Sequence, residues 1–425
     1  MAKNALCALV VLGLAGLTSQ SAAASEYKVL YSFCAQPGCA DGRSLAAGLL
    51  RDPSGTLYGV AAEGGANNGG TVFALTPNGD DWQLQVLYSF CAQPQCADGQ
   101  QLSEGLIEDA QGNLYGTTRY GDGGAGTAFK LTHDAARTNW TFSLLYTFCR
   151  ASGCADGQIP NSRLTYQGAA SGASYDGVSP LYGTTQAGGG TQGGVVYQLT
   201  PRAQGGWKQT VIDDLCIGSG CTMGYAPGSG LIVDDKGNLF LNTFHGGNAD
   251  GGAIIELTRK HGAWKATQLY SFCAAADCTD GKAPFGAFLR DAAGNLFGTT
   301  YYGGVVENGG TLFELSPVRH GWKQKVLYNF CSKSKCKDGA APMGVAADGA
   351  GGLIGTAASG GRHGDSGTAF RFDARKLDLL YSFCQGKHCS DGTVPESPPL
   401  VDGAGNIFGT TSEGGTGGVI YEITP

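Results

Sequence analysis

The stretch GLIEDAQGNLYGTTRYGDGGAGTAFKLTHDAARTNWTFSLLYTFC, residues 105–149, decides how this chain folds. GLIED is a short apolar run, strand A. DAQGN is a turn, with Asp109 suited to bond its own backbone and Gly112 suited to a positive φ. NLYGTT, strand B, is rich in aromatic and β-branched residues. A glycine loop leads to GTAFKLT, strand C, whose residues alternate between two faces. A polar turn then opens WTFSLLYTF, strand D. No segment carries a helical period.

The pattern recurs, and recurrence is the first thing to seek in a chain of this kind. The A–B–C part starts near 48, 105, 163, 230, 287, 344 and 398. A second motif, LYSFCAQPGCADG at 30–42, returns almost unchanged at 87–99. First cysteines fall at Cys34, Cys91, Cys149, Cys216, Cys273, Cys331 and Cys384, with spacings of 57, 58, 67, 57, 58 and 53. Each has a partner five residues on: Cys39, Cys96, Cys154, Cys221, Cys278, Cys336 and Cys389. Unit three is longer because GAASGASYDGVSP, residues 168–180, expands its first turn.

Four short antiparallel strands every 55–60 residues predict propeller blades. The chain opens on a lone EYKVLYSF and closes on GVIYEITP, so the first D strand has no preceding A, B and C and the last C strand has no following D. The N-terminal strand would complete the C-terminal blade and remove the free sheet edges. The expected fold is therefore an all-β, seven-bladed β-propeller over residues 25–425, with one C-x4-C disulfide per repeat. The disulfides are expected inside the blades. Closing a six-residue loop contributes on the order of 2 kcal/mol in the chain-entropy model.

Residues 1–24 read as a signal peptide: Lys3, an apolar run from Ala5 to Leu17, and Ala22-Ala23-Ala24 as a cleavage site. No later segment is apolar for long enough to span a membrane, and no anchor tail is read at Thr424-Pro425. The expectation is a secreted or periplasmic, monomeric protein. Loss of Lys3 leaves 27 basic and 35 acidic residues, a net of −8, which disfavours nucleic acid as a partner. The 72 glycines recur at fixed places and reflect many turns rather than low complexity.

The motifs GNLYGTT..GG, GTVF.LTP and LYSF…DG..P..GL resemble those of the GloVer tandem-repeat family of exported bacterial proteins. The resemblance covers the whole mature chain. It implies secretion and often a separate C-terminal surface anchor, and it implies no reaction and no catalytic residues.

Repetition separates structural residues from candidates for function. A C-x4-C pair would suit a metal, but no His or further Cys completes a tetrahedral set. Asp41, Asp98, Asp156, Asp280, Asp338 and Asp391 follow the cysteine pairs, and unit four has Met223 there. Six carboxylates on one face would suit calcium, while their repetition favours Asx turns. Trp82, Trp140, Trp207, Trp264 and Trp322 each begin a D strand and are expected to pack. Tyr58, Tyr115, Tyr182, Phe240, Phe297 and Phe408 share one B-strand position and are expected to fill space between blades.

With strands alternating in direction, the B–C loops and the cysteine crossings share one face. The B–C loops, where the units disagree, supply the binding candidates. They are Glu63 in unit one; Arg119, Tyr120 and Asp122 in unit two; Gln186 in unit three; and Asn242, Phe244, His245 and Asn248 in unit four. Units five to seven add Tyr301, Tyr302 and Glu307; Arg362, His363 and Asp365; and Ser412 and Glu413. Rings that stack and amides and carboxylates that bond hydroxyls suit a sugar. Unconstrained loop tips would vary as well. Unit four departs further, with Asp213 and Asp214 in VIDDLC and with LFLNTFHGG in strand B.

Three functions follow. The first is an exported binding module for carbohydrate or another cell-envelope ligand. The second is a polysaccharide-active hydrolase, which needs two carboxylates such as Glu63, Glu307, Glu413 or Asp365, or a lyase using His245, Tyr301, Tyr302, His363 or Arg362. The third is a protein–protein scaffold. Fold alone does not choose among them.

Overall fold

The computed structural model describes residues 25–425 apart from Ser103, Asp122, 217–219, Ala374 and the side chain of Ser229. The leader read over 1–24 and the candidate Asp122 lie outside the described residues. Among these there is no α-helix, only strands and short 3-10 turns.

Unit two shows the local plan. Its strands are Ile107–Glu108, Leu114–Thr118, Thr127–His133 and Trp140–Thr147, paired antiparallel in that order. Each unit builds the same four-stranded sheet, and in units five and six the two sheets touch through a parallel bridge, Ala287 to Gly344. Strand A is shorter than GLIED suggests, at two residues in units one, two and seven.

The seventh sheet draws on both ends of the chain. Glu26–Ser32 pairs antiparallel with Val419–Thr424, with Tyr27 opposite Ile423. Its ladder slips between Val29 and Tyr31, and the C–D ladder of unit one slips at the same place, between Val72 and Phe73. The N-terminal strand therefore stands as strand D, bulge included.

Seven apolar clusters fill the seams between sheets. One joins Tyr58 and Val72 of unit one to Phe90 and Phe129 beyond it, and another joins Phe73 and Leu75 of unit one to Phe408 and Ile420 of unit seven. The residue before each first cysteine is buried: Phe33, Phe90, Phe148, Leu215, Phe272, Phe330 and Phe383 are at most 1% exposed. Each such burial contributes about 2 kcal/mol.

The repeat tryptophans pack across these seams. Trp82 meets Phe408, Trp140 meets Tyr58 and Trp207 meets Tyr115, at ring separations of 6.4, 6.4 and 6.5 Å. Each of these three D-strand tryptophans thus meets the B-strand aromatic of the preceding unit, and for unit one the preceding unit is unit seven. The extra turn of unit three docks on unit two, where Tyr175 is buried against Tyr115 and its carbonyl accepts from Ala110 N–H at 2.9 Å.

All fourteen cysteines of the described residues form the expected local pairs, Cys34–Cys39 through Cys384–Cys389. They do not lie inside the sheets. Each pair occupies the crossing from one unit to the next, because strand D ends at the first cysteine and strand A of the following unit starts beyond the second. Both cysteines of every pair hold a left-handed φ, such as 58° at Cys34 and 54° at Cys39. Two such residues close the corner tightly and the disulfide holds them there.

Candidate functional site

The corner explains the recurring Asp-Gly. Asp98 is fully buried and accepts Ala92 N–H at 2.9 Å, Gln93 N–H at 3.1 Å and the Tyr88 hydroxyl at 2.9 Å. Asp41, Asp156, Asp280, Asp338 and Asp391 take the same three kinds of donor from Tyr31, Tyr146, Tyr270, Tyr328 and Tyr381 and from their own corners. Their oxygens are committed to the fold. Among the described residues, no group of three or more His, Cys, Asp or Glu is arranged to hold a metal ion.

The corner between units three and four has lost both partners of this pair. Asp213 stands where the tyrosine would be and Met223 where the aspartate would be. Burial, with the Asp214 charge adding to it, pushes the Asp213 carboxyl up to about 6.

The B–C loops do lie on the face of the cysteine corners. Gly65 N–H donates to the Cys39 carbonyl at 2.9 Å, and Gly189, Gly247, Gly304, Gly361 and Gly415 repeat the bond to Cys154, Cys221, Cys278, Cys336 and Cys389. Most loop candidates stay at that surface. Glu63 pairs with Arg43 at 2.8 Å, both side chains half-exposed. Asn248, Glu307, Arg362, His363, Asp365 and Glu413 are exposed. Asn248 and Arg362 donate their N–H groups to Ser271 and Ser382, and Asp365 accepts Gly360 N–H. Glu307 accepts Gly303 N–H at 2.7 Å through its carbonyl. The His363 carbonyl accepts the Ser366 hydroxyl, and the Glu413 backbone pairs with Thr393. Asn242 is buried and donates to the Gly286 carbonyl at 3.2 Å, joining units four and five.

The structure brings two groups of candidates together. Arg119 and Gln186 reach inward, where Arg119 Nη2 donates to Gln186 Oε1 at 3.1 Å and the guanidinium stands 5.9 Å from the Tyr120 ring. Phe244, His245, Tyr301 and Tyr302 form an aromatic group with Tyr225 and Phe285. His245 stacks on Tyr225 at 5.1 Å, Phe244 meets Phe285 edge-on at 5.8 Å, and Tyr301 meets Tyr302 at 4.6 Å.

Arg119 and Gln186 line a cavity of about 690 Å³, and the aromatic group reaches it through Phe285 alone. Its wall is built from the segments that lead into strand A in units one, two, three, five, six and seven, together with Arg119 and Gln186. Phe285 and Ala287, and Met343 and Val345, line it from strands, while Asn161, Arg163, Glu396 and Pro398 line it from irregular backbone. A second cavity, of about 620 Å³, shares Arg163 and Ala287 as walls.

The charges in this wall are unusual. Burial holds the Glu104 carboxyl well above the usual carboxylate range, although Arg119 and Arg163 pull it down. Arg163 exposes much of its side chain, but what it exposes is cavity surface, and this enclosure destabilises its charge despite Tyr166 and Glu104 nearby. Burial also raises Glu396, Ser412 opposing and Glu413 adding to the effect. Tyr301 is raised by burial and by Tyr302, Glu396 and Asp365, which links the aromatic group to the cavity. Arg119 Nε and Asn161 Oδ1 are buried with no hydrogen-bond partner.

Glu104, Asn161, Arg163, Phe285 and Glu396 were not among the sequence candidates. A signal was present. The position of Asn161 reads Ala46, Ser103, Asn161, Gly228, Phe285, Met343 and Glu396 through the seven units. It varies as strongly as any B–C loop, within the segment whose cysteines do not vary and whose Asp-Gly changes only at Met223.

A family model described as the Gloeobacter/Verrucomicrobia repeat matches residues 16–180 and 174–421. The chain belongs to this repeat family. No curated protein matches it. Among solved structures it is similar to a protein provisionally described as a 6-phosphogluconolactonase, from Bacteroides uniformis, at 14% identity and TM-score 0.50 over 84% of this chain and 88% of that one. It is also similar to the PQQ-bound aldose sugar dehydrogenase from Streptomyces coelicolor, at 12% identity and TM-score 0.44 over 94% and 98%. At these identities the first likeness is one of fold alone.

Proposed function

We propose that this chain is an exported, seven-bladed propeller that binds carbohydrate in its axial cavity. The seven sheets are the blades of one domain spanning 25–425, behind a signal peptide at 1–24. The pairing of Glu26–Ser32 with Val419–Thr424 and the contact of Trp82 with Phe408 support a closed ring. Seven disulfides suit an oxidising compartment. No helix of the described residues is long and apolar enough to cross a membrane.

The observation that carries the reading is the cavity wall. It sets guanidinium, amide and carboxyl groups, some with no internal partner, opposite Phe285 and the aromatic group beside it. Buried polar atoms without partners are costly unless a ligand or water satisfies them. Polar groups for hydroxyls and an aromatic face for a ring's C–H groups are what a sugar needs. A glycan array probed with the purified protein tests this. Retention of a defined glycan, weakened at least tenfold by Phe285→Ala, supports it. No retention of any glycan overturns it.

One observation favours a second reading, an enzyme acting on polysaccharide. Glu104 and Glu396 line the same cavity, and burial raises both. A raised carboxyl can serve as a general acid, and a hydrolase needs two carboxyls around the scissile bond. Release of reducing ends by the wild type, lost in both Glu104→Gln and Glu396→Gln, would select this reading over binding alone.

A further inference from the structure

We infer that the axial site selects sugars that carry a carboxylate, with Arg119 and Arg163 as the groups that read it. This rests on the carbohydrate reading and narrows it to a ligand class, acidic glycans built from uronate units.

The argument starts from what the two guanidinium groups lack. Arg163 projects into the cavity and forms no ion pair among the described residues, whereas Arg43, Arg51, Arg137 and Arg371 each have a carboxylate within 4 Å. Arg119 spends one nitrogen on Gln186 and leaves Nε buried and unpaired. An enclosed guanidinium without a counter-anion is costly. The neighbouring carboxyl, Glu104, does not discharge both, because its own enclosure opposes ionisation. Two cations share the cavity with two carboxyls, Glu104 and Glu396, whose ionisation burial opposes, so the interior leans positive in a chain whose overall charge is negative.

A planar fork of N–H donors matches a carboxylate with two parallel hydrogen bonds. Phosphate would satisfy the same fork. The remaining wall favours a sugar acid, since Phe285, Met343 and Val345 are apolar and Asn161 Oδ1 is an acceptor that needs a donor. A uronate ring brings both a carboxylate and several hydroxyl donors, whereas a free phosphate dianion brings a single donor and no apolar face.

Isothermal titration of the full secreted chain tests this, using galacturonate, glucuronate and mannuronate oligosaccharides, each beside its neutral methyl ester. At least one acid is expected to bind ten-fold or more tightly than its ester. Arg163→Gln should remove that preference, bringing the affinity for the acid to or below that for its ester, and Arg119→Gln should reduce it. Glu104→Gln, which removes the competing carboxyl, should tighten binding of the acid several-fold. Thermal unfolding of each variant shows that the fold is retained. Equal binding of acid and ester, or an Arg163→Gln variant that keeps the preference, overturns the inference and leaves the carbohydrate reading standing. Competition by inorganic phosphate as effective as the oligosaccharide overturns it in favour of a simple anion site. If neutral glycans bind and none of the acids does, the charge selection fails alone; if no sugar of either kind binds, both readings fail.

Discussion

Leu241 faces Ile255 across the B–C ladder of the fourth sheet. In the other six sheets the same pair is a glycine and an aromatic ring: Gly59–Phe73, Gly116–Phe129, Gly183–Tyr197, Gly298–Phe313, Gly355–Phe370 and Gly409–Tyr421. The ring occupies the space of a side chain, since a Cβ on Gly59 would lie 2.5 Å from Phe73 and one on Gly409 2.3 Å from the Tyr421 hydroxyl. Unit four moves the apolar volume from one strand to the other. Gly298→Leu alone should therefore overpack the fifth sheet and cost about 2 kcal/mol or more. Adding Phe313→Ile should recover most of that loss in denaturant unfolding. A double variant no better than the single would show that the exchange is not compensatory.

The seam between Trp82 and Phe408 makes the first and last units neighbours, and Glu26–Ser32 covers the edge of Val419–Thr424. A chain starting at Cys34 should expose that edge and associate. Light scattering should show oligomers, and a synthetic peptide of residues 25–33 should restore the monomer. A truncated chain that stays monomeric with full stability would remove the N-terminal strand from the closure.

Asp213 carries a testable pH signature. Its folded-state value of about 6 lies above the ordinary value of 3.8. The folded protein then holds a proton that the unfolded chain releases, so this group's contribution is fully present below about pH 4. It is lost as pH rises through about 6. The stability difference between the wild type and Asp213→Asn should change across pH 4–6 and level off above. A difference that is flat with pH would place Asp213 in solvent.

The same corner predicts a repair. Asp213→Tyr with Met223→Asp rebuilds the pair seen at Tyr270 and Asp280, whose hydroxyl-to-carboxylate bond is 2.7 Å. The double variant should gain about 1 kcal/mol over either single change. Additive singles, shown by a double-mutant cycle, would mean that the pair does not form.

Backbone strain gives a fifth outcome. Lys335 and His388 hold φ near 60° and 55° at the corner position where Gly38 and Gly153 stand in other units. Lys335→Gly and His388→Gly should each stabilise by about 0.5–1 kcal/mol, the relief of a left-handed side chain less the glycine's added unfolded-state entropy. Thermal unfolding measures this, and destabilisation by either change would show that the side chain contributes more than the strain costs.

Much of the fold was legible because the chain repeats. Seven variants of the NLYGTT strand and seven C-x4-C pairs revealed the strands, the corners and the role of the lone EYKVLYSF. The aromatic B-strand position and the D-strand tryptophans could be read as packing residues for the same reason, and Trp82, Trp140 and Trp207 do pack. The exchange at Leu241 and Ile255 was visible only as a broken motif, since its two halves are fourteen residues apart and meet through the ladder.

The candidate site was legible only in part. Arg119 and Gln186 stood out as loop variants, yet nothing local said that they would touch across 67 residues. Glu104, Arg163 and Glu396 lie in different units, and each is an ordinary charged residue beside a turn. The repeat pattern by itself determined the strand plan, the disulfide corners and the N-terminal strand's place in the last sheet, because those rest on local chemistry stated seven times. Only the tertiary structure decided which side chains share the cavity, because enclosure and charge proximity arise when separate units face one another around a common space.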